Sequence, residues 1–255
     1  MDSKGFMRRK FFERSFAVGG ALLLAGCDRL SQTEWFPRVL SGAETLNDKL
    51  HHLIAPTGAM AKEFTEADIS PVFRSNGTSY PEGKQYAELV AGHFKEWRLE
   101  VGGLVERPQH FSLAELRDLP ARTQITRHDC VEGWSAIGKW KGVPLAEILS
   151  RVGPQPNARY VVFFCADIMD EGQQYYESLY MEDALHPQTI LAYELNNASL
   201  PIPNGAPLRL RVERQLGYKM AKYLMRIELV EHFGHIAGGN GGYWEDQGYE
   251  WYAGI

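Results

Sequence analysis

Short segments that alternate apolar and polar residues, or are apolar throughout, recur along this chain and end at glycine, proline or asparagine turns. Residues 97–101 (WRLEV) alternate with period two and are followed by Gly102 and Gly103. Four further strands are predicted at residues 160–165, 189–195, 208–212 and 225–230. Segments of this length and pattern are typical of β-strands, so the chain is limited to a fold with a substantial sheet.

Two short helices are predicted between the strands. Ser112 and Glu115 have the spacing of a capping box, which predicts a helix over residues 113–119. A second helix is predicted to begin at Pro144 and to bury Leu145, Ile148 and Leu149. No GxGxxG motif or P-loop gives a nucleotide an obvious binding site. The predicted fold class is α+β, a mixed β-sheet or barrel with short helices.

The charge balance excludes one class of partner. The chain of 255 residues has 27 basic and 32 acidic side chains, and five of the basic ones lie in the first 27 residues. The rest of the chain is therefore clearly acidic, which argues against nucleic-acid binding. The three cysteines, Cys27, Cys130 and Cys165, are too few for a disulfide scaffold or a Cys-rich metal site.

The N-terminus has the pattern of an export signal. Arg8 and Arg9 precede an apolar stretch over residues 16–26, which is too short to span a membrane. The arginine pair resembles a twin-arginine signal, and the residues before Cys27 resemble a lipobox. The alternative to the twin-arginine signal is an ordinary secretory signal. The alternative to the lipobox is cleavage at another small residue without lipid attachment. We therefore expect a signal peptide over residues 1–27, a tether over 28–65 and a domain over 66–255. The protein is expected in the periplasm, where a lipid on Cys27 would anchor it to the membrane.

Residues 126–135 (TRHDCVEGWS) bring most of the common reactive side chains into one short segment. The thiolate of Cys130 would suit a soft metal or act as a nucleophile, and a buried structural cysteine is the third alternative. We do not expect His128, two positions before Cys130, to serve as the base for such a nucleophile. The residues alone leave these three roles open.

This segment, with residues 140–145 (WKGVPL), resembles the metal loop of the sulfite oxidase superfamily. The resemblance implies that Cys130 binds molybdenum beside the two dithiolene sulfurs of a molybdopterin. Within the superfamily the CVExWS form is nearest to the periplasmic methionine sulfoxide reductase catalytic subunits. The substrate-binding arginine cluster of the animal sulfite oxidases is missing after Cys130.

Two further regions resemble cofactor-binding segments of the superfamily. The first, residues 200–212 with 217–222, resembles its pterin-phosphate anchor. Arg209 and Arg211 share one face of the strand predicted there, and a guanidinium group suits a phosphate. A solvated basic face is the alternative. Upstream, Asn76 occupies the place of a pterin-contacting asparagine, with a plain Asn-Gly turn as the alternative. The resemblance implies these cofactor contacts: Asn76, Cys165, Asn204, Arg209, Lys219, Met220, Ala221 and Lys222. For Cys165 a place in the core is the competing interpretation.

The resemblance implies an exported molybdopterin-dependent oxidoreductase that transfers an oxygen atom, by sulfoxide reduction or by sulfite-type oxidation. Its electrons would be exchanged with a membrane haem protein or a soluble cytochrome. Besides Cys130, the residues expected to handle protons are His128, Asp129 and Tyr218, with His128 favoured by a pKa near neutrality. The glycine- and aromatic-rich residues 238–255 either flank the site or cover a sheet edge. A cofactor-free envelope binding module and a thiol hydrolase are the competing functions.

Overall fold

The computed structural model describes Thr33, Trp35 and residues 58–255. The chain divides into two units at Ile54 and Ala55, and the description below concerns the second. The predicted signal peptide, Cys27 and most of the predicted tether lie outside the described residues. Within the described part of the chain, no helix has the length and apolar character needed to cross a membrane.

Ten strands and five short helices form the described fold. The strands are β1 (Arg98–Gly103), β2 (Gln109–Ser112), β3 (Arg122–Asp129), β4 (Ser135–Pro144), β5 (Tyr160–Ile168), β6 (Gln174–Tyr180), β7 (Ile190–Leu195), β8 (Ala198–Ser199), β9 (Arg209–Arg211) and β10 (Leu224–Val230). The helices are α1 (Lys84–Ala91), α2 (Leu113–Asp118), α3 (Leu145–Val152), α4 (Met181–Ala184) and α5 (Tyr243–Asp246). The predicted α+β class is confirmed.

The strands form two five-stranded sheets. The first has the order β2-β1-β10-β5-β6, in which β1 and β10 run parallel and the other neighbours antiparallel. The second has the order β3-β4-β7-β8, with β9 also pairing to β7. Strands that are far apart in the sequence are thus neighbours in the sheets. The last strand of the chain, β10, lies in the middle of the first sheet.

The main core is formed by inward side chains of β1, β5, β10, β7 and β9 together with helix α3. Leu145, Ile148 and Leu149 of that helix are fully buried, as predicted. The capping box of α2 is also confirmed, since the Glu115 amide donates to Ser112 Oγ over 3.1 Å and the Ser112 amide donates to Glu115 Oε2 over 2.7 Å. Pro144 differs slightly from expectation because it is the last residue of β4 and precedes the helix.

Three of the longer strands have no counterpart in the sequence prediction, and β3 shows why. Its inward-facing residues include Gln124, Thr126 and His128, all almost completely buried. A strand whose buried face is polar does not show the apolar alternation by which strands are predicted. The reactive segment 126–135 is thus the end of β3, a turn and the start of β4.

Candidate active site

A tight turn between β3 and β4 positions Cys130. The Cys130 amide donates to the Trp134 carbonyl over 2.9 Å, and the Gly133 amide donates to the Cys130 carbonyl over 3.0 Å. Gly133 has a φ of +85°, a conformation that L side chains rarely adopt. The β3–β4 pairing continues to Asp129 and Ser135, so this turn has little freedom. Cys130 is buried apart from 8% of its surface, and this burial raises the pKa of its thiol.

Cys130 lies in the wall of a cavity of about 680 Å³, a volume that includes its open mouth. Polar groups of Asn76, Thr78 and Asp167 form part of the lining, and Met220 adds an apolar surface. Asn76, Met220 and Cys130 were all predicted site residues, and they come from three separate stretches of the sequence. The structure therefore brings the three predicted segments to one cavity.

Lys222 connects two of these segments. Its ammonium group, at the cavity wall, donates to the backbone carbonyls of Asn76 over 2.6 Å, Pro203 over 3.1 Å, and Thr78. Burial and the nearby Arg209 lower the pKa of Lys222 to about 7. The loop around Asn76 is thereby held against the turn Ile202–Asn204 through one side chain.

Arg209 and Arg211 share a face of β9, as predicted, but that face is fully buried and the solvated alternative is wrong. Both guanidinium groups lie over the ring of Trp140, at 5.0 and 4.4 Å from its centroid. Arg211 forms an ion pair with Glu213, to whose two carboxylate oxygens its Nε and Nη2 groups donate. Arg209 donates to the carbonyls of Asn204 and Met220, while its Nε has no partner. Burial lowers the pKa of Arg209 to about 9, so it remains charged at neutral pH.

His128 lies behind the cavity rather than in its lining. Arg211 donates to His128 Nδ1 over 2.9 Å, so the ring proton is on Nε2, which has no partner. Burial, then the positive charges of Arg211, Arg209 and Lys222, lower the pKa of His128 well below its usual value. The expectation that His128 titrates near neutrality is therefore wrong, since a cationic ring would be desolvated beside other cations.

Asp129 is also outside the cavity lining. Its carboxylate accepts from Arg127 Nε over 2.9 Å and from Ser135 Oγ over 2.5 Å, so it braces the ends of β3 and β4. Tyr218, the third residue expected to handle protons, does line the cavity. Burial raises the pKa of Tyr218 above its ordinary value, which makes its hydroxyl a weaker acid.

Lys219 does not reach the cavity, and its predicted role as a cofactor contact has no geometric support. Its fully buried ammonium group forms ion pairs with Glu177 and, over 2.5 Å, with Glu245. These carboxylates are 42 and 26 residues away in sequence, so no local pattern reveals them. Burial and the neighbouring Glu245 raise the pKa of Glu177, against the lowering effect of Lys219.

The remaining predicted contacts fall into two groups. Cys165 and Ala221 are buried members of the main core and do not line the cavity. Asn204 is buried just behind Arg209, and its Nδ2 has no hydrogen-bond partner. The competing interpretation of Cys165, a place in the core, is thus the one that the structure displays.

Asp167 is a lining residue that the sequence prediction missed. It follows Cys165 by two positions in β5, and a carboxylate in an otherwise apolar strand is the signal that could have identified it. Its Oδ1 has no partner, and burial raises its pKa to about 6. A carboxyl group with this pKa exchanges a proton near neutral pH.

The cavity fits a large bound group that brings its own metal donors. Among the described residues, no cluster of three or more His, Cys, Asp or Glu side chains could hold a metal ion. Cys130 would therefore need ligands from elsewhere, as the two sulfurs of a dithiolene would provide. Partnerless buried atoms of Asn76 and Asp167 in the lining, and of Asn204 and Arg209 behind it, are hydrogen-bonding groups for such a cofactor.

The arrangement does not suit a thiol hydrolase. Within the described part of the chain, no hydrogen bond joins the Cys130 thiol to a base, and the nearest histidine in sequence is committed to Arg211. The raised pKa of the thiol keeps it protonated at neutral pH. A nucleophilic cysteine requires the opposite environment.

Comparison with known proteins agrees with the geometry. The sequence model of the oxidoreductase molybdopterin binding domain matches residues 87–235. A protein of Azospira oryzae, provisionally named protein-methionine-sulfoxide reductase subunit YedZ1, is 39% identical over 97% of this chain and 87% of its own length. The protein-methionine-sulfoxide reductase catalytic subunit MsrP of Xanthomonas campestris is 40% identical over 90% of this chain and 72% of its own length.

Among solved structures, the sulfane dehydrogenase SoxCD from Paracoccus pantotrophus aligns with 54% of this chain and 39% of its own, with 24% identity and a TM-score of 0.49. The family match covers more than half of the chain and includes Cys130, Arg209 and Lys222. The chain therefore belongs to the oxidoreductase molybdopterin binding domain family of the sulfite oxidase superfamily, and it is a molybdopterin-dependent oxidoreductase.

Proposed function

We propose that this chain is the catalytic unit of an exported enzyme that reduces methionine sulfoxide in proteins. The two relatives described above carry the name of a protein-methionine-sulfoxide reductase subunit, and the chain spans 87% and 72% of their lengths. The direction of the reaction and the nature of the substrate are argued from the cavity itself.

The charge of the cavity lining carries the proposal. Glu132 and Asp167 contribute two carboxyl groups, and the ammonium group of Lys222 is committed to three backbone carbonyls. A sulfite anion would meet carboxylates with no free guanidinium in the lining to bind it. A sulfoxide is neutral, and its methyl and methylene groups suit the methionine and aromatic side chains that make up much of the remaining lining.

Reduction of a sulfoxide consumes two electrons and two protons and yields a thioether and one water. When bound, the molybdenum cofactor supplies the two-electron oxygen-atom transfer. Cys130 would hold the metal, while Asn76, Met220 and Lys222 would contact the organic part. Asp167 Oδ1 would supply a proton to the departing oxygen, because its pKa of about 6 leaves part of the population protonated near neutrality.

The test is an assay of holoprotein from a host that makes molybdopterin. We expect about one molybdenum per chain and reduction of methionine sulfoxide with a reduced viologen dye. Sulfite oxidation with ferricyanide should be at least a hundredfold slower. The Cys130→Ser variant should lose the metal and the activity. Faster turnover of sulfite than of sulfoxide would contradict the proposed direction, and molybdenum content unchanged by Cys130→Ser would contradict the metal ligand.

The proposal includes the route of the protein and its electron donor. Arg8 and Arg9 would direct export of the folded, cofactor-loaded protein, and Cys27 would carry a lipid that holds it at the membrane. A membrane b-type or soluble c-type cytochrome would supply the electrons. We expect Arg8→Lys with Arg9→Lys to retain the protein in the cytoplasm and Cys27→Ser to release it from membranes, as measured by fractionation. Unchanged distributions would contradict each assignment separately.

A further inference from the structure

Three aromatic rings form one continuous side of the cavity. The rings of Tyr218 and Tyr249 meet edge-on with centroids 5.3 Å apart, and those of Tyr249 and Trp244 lie 5.2 Å apart at 31°. All three residues line the cavity that contains Cys130. Tyr249 is 39% exposed, so this set, the aromatic wall, extends from the interior to the solvent.

The aromatic wall is held from behind by buried polar groups. Helix α5 presents Trp244 to the cavity, and the next residue, Glu245, is paired with buried Lys219 over 2.5 Å. Asp246 accepts from the Tyr176 hydroxyl over 2.7 Å and from the Gly238 amide over 3.0 Å. Side chains anchored in this way do not need to be ordered when a ligand binds, which lowers the entropic cost of binding.

The ion pair of Lys219 also helps to fix the position of the aromatic wall. Tyr218 is adjacent to Lys219 in sequence, and Trp244 is adjacent to Glu245, so one ion pair holds two of the three rings at a fixed separation. The Tyr218 hydroxyl adds a hydrogen bond to the Glu250 carbonyl over 2.7 Å, which holds the backbone next to Tyr249. Lys219 is therefore a positioning residue for this wall.

Trp244 and Tyr249 come from a part of the chain beyond the family match, which ends at residue 235. The cofactor-binding segments lie within or before that match, whereas two of the three rings are added by the C-terminal residues. The cavity lining also includes Val131, which is 48% exposed, and the thioether of Met169. The aromatic wall is thus accompanied by further apolar groups in the lining.

We infer that the aromatic wall is a binding subsite for the methyl and methylene groups of a methionine sulfoxide side chain within a polypeptide. The inference rests on the proposed function and adds the residues that select the substrate. Sulfur and its neighbouring carbons make favourable contacts with aromatic rings. With the sulfoxide oxygen directed toward Cys130, a side chain entering from solvent passes Tyr249 and then Trp244, while the peptide backbone remains at the mouth. A compact sulfoxide such as dimethyl sulfoxide would make fewer of these contacts.

The test compares the holoprotein with its Trp244→Ala, Tyr249→Leu and Trp244→Phe variants. N-acetyl-methionine sulfoxide amide and dimethyl sulfoxide are used as probes, in calorimetric binding of the oxidised enzyme and in steady-state turnover. We expect Trp244→Ala and Tyr249→Leu to raise Kd and KM for the methionine sulfoxide probe roughly tenfold. The values for dimethyl sulfoxide should change less than twofold, and Trp244→Phe should restore most of the affinity.

Ile255→Ala is the control, because Ile255 is in the same C-terminal segment, is 54% exposed and does not line the cavity. Turnover with unchanged Kd and KM in Trp244→Ala would overturn the subsite and leave the proposed function intact. Tight, Trp244-dependent binding without turnover would retain the subsite and overturn the proposed function. Equal losses for both probes, or loss of molybdenum from the variants, would show a structural role and overturn the selective one.

Discussion

Asp167 and Lys222 lie at the same cavity, and their environments shift their pKa values in opposite directions. Burial raises the pKa of Asp167 to about 6 and lowers that of Lys222 to about 7. In each case the neutral form is favoured because the charged form is desolvated. The two groups are therefore poised to change charge within the physiological range, unlike His128, whose pKa is lowered well below its usual value.

This difference predicts a pH dependence that belongs to one carboxyl group. As the pH rises through about 6, Asp167 loses its proton, so the rate of the proton-consuming step should fall across that range. Asp167→Asn should lower kcat by about 10²-fold, the lower end for general acid catalysis, and should remove that inflection. Steady-state kinetics from pH 5 to about pH 8 measure both effects.

The control for this prediction is Asp170→Asn, which changes an exposed carboxylate a few residues away. Its pH profile should match that of the unchanged protein.

The raised pKa of Asp167 also has a consequence for folding. Because the folded-state pKa of Asp167 lies above the ordinary value of 3.8, the native state binds the proton more readily between these values. The contribution of Asp167 to stability should therefore increase as the pH falls through about 6. If the inflection in the pH profile of kcat persisted in Asp167→Asn, the titration would belong to another group.

At the scale of elements, the turn Gly217–Lys219 packs directly against β3. A Cβ atom on Gly217 would lie 2.4 Å from His128 Nε2, and Arg211 fixes the opposite nitrogen of that ring. The ring cannot move aside without breaking its bond to Arg211. The absence of a side chain at residue 217 therefore sets the distance between the segment that carries Cys130 and the segment that carries Met220 and Lys222.

Gly217→Ala should accordingly lower the free energy of unfolding by about 1–3 kcal/mol through overpacking, and it should reduce the molybdenum retained per chain. Gly102→Ala is the matched control, because nothing lies within 4 Å of a Cβ atom at that position and its φ is ordinary. Urea unfolding and metal analysis measure the two effects. Equal stability and metal content in both variants would show that β3 tolerates a wider separation.

The elements that could be predicted from the sequence are those whose buried face is apolar. The segments 160–165, 189–195 and 225–230 all coincide with observed strands, and so does the shorter β9. Strand β3 could not be predicted because its inward face is polar. Strand β6 likewise buries the polar residues Glu177 and Ser178. Two of the missed strands, β3 and β6, are thus strands that bury polar side chains.

The same reasoning explains the site. Cys130, Asn76, Met220 and Lys222 were named through the resemblance to the superfamily, whose motifs are local and ordered along the chain, and the structure brings all four to the cavity. Lys219 was assigned to the cofactor because sequence cannot show which way a residue in a single helical turn points. Its partners, Glu177 and Glu245, are distant in sequence, and only the fold brings them together.

At the scale of the whole molecule, the cofactor site joins the two sheets. Cys130 follows β3 of the second sheet, and Asp167 is in β5 of the first. A group that binds both should stabilise the native state, because it has no comparable site in the unfolded chain. The protein should therefore unfold at a higher temperature with molybdopterin than without it.

This prediction is tested by expression in hosts with and without molybdopterin synthesis. Calorimetry should give a Tm several degrees higher for the loaded protein, since each 1 kcal/mol corresponds to roughly 2–4 °C in a domain of this size. Cys130→Ser should lower the Tm in the competent host only. If this variant lowered the Tm equally in both hosts, the effect would come from the altered turn and not from the missing cofactor.

Among the described residues that line this cavity, Cys130 supplies the only thiol. Besides the one metal–sulfur bond that Cys130 would form, retention of the cofactor would depend on how often the enclosing segments separate. The dissociation rate would be set by opening of the turn after Cys130, of the loop clasped by Lys222, and of the C-terminal segment. These segments would thus govern the residence time of the cofactor as well as its equilibrium affinity.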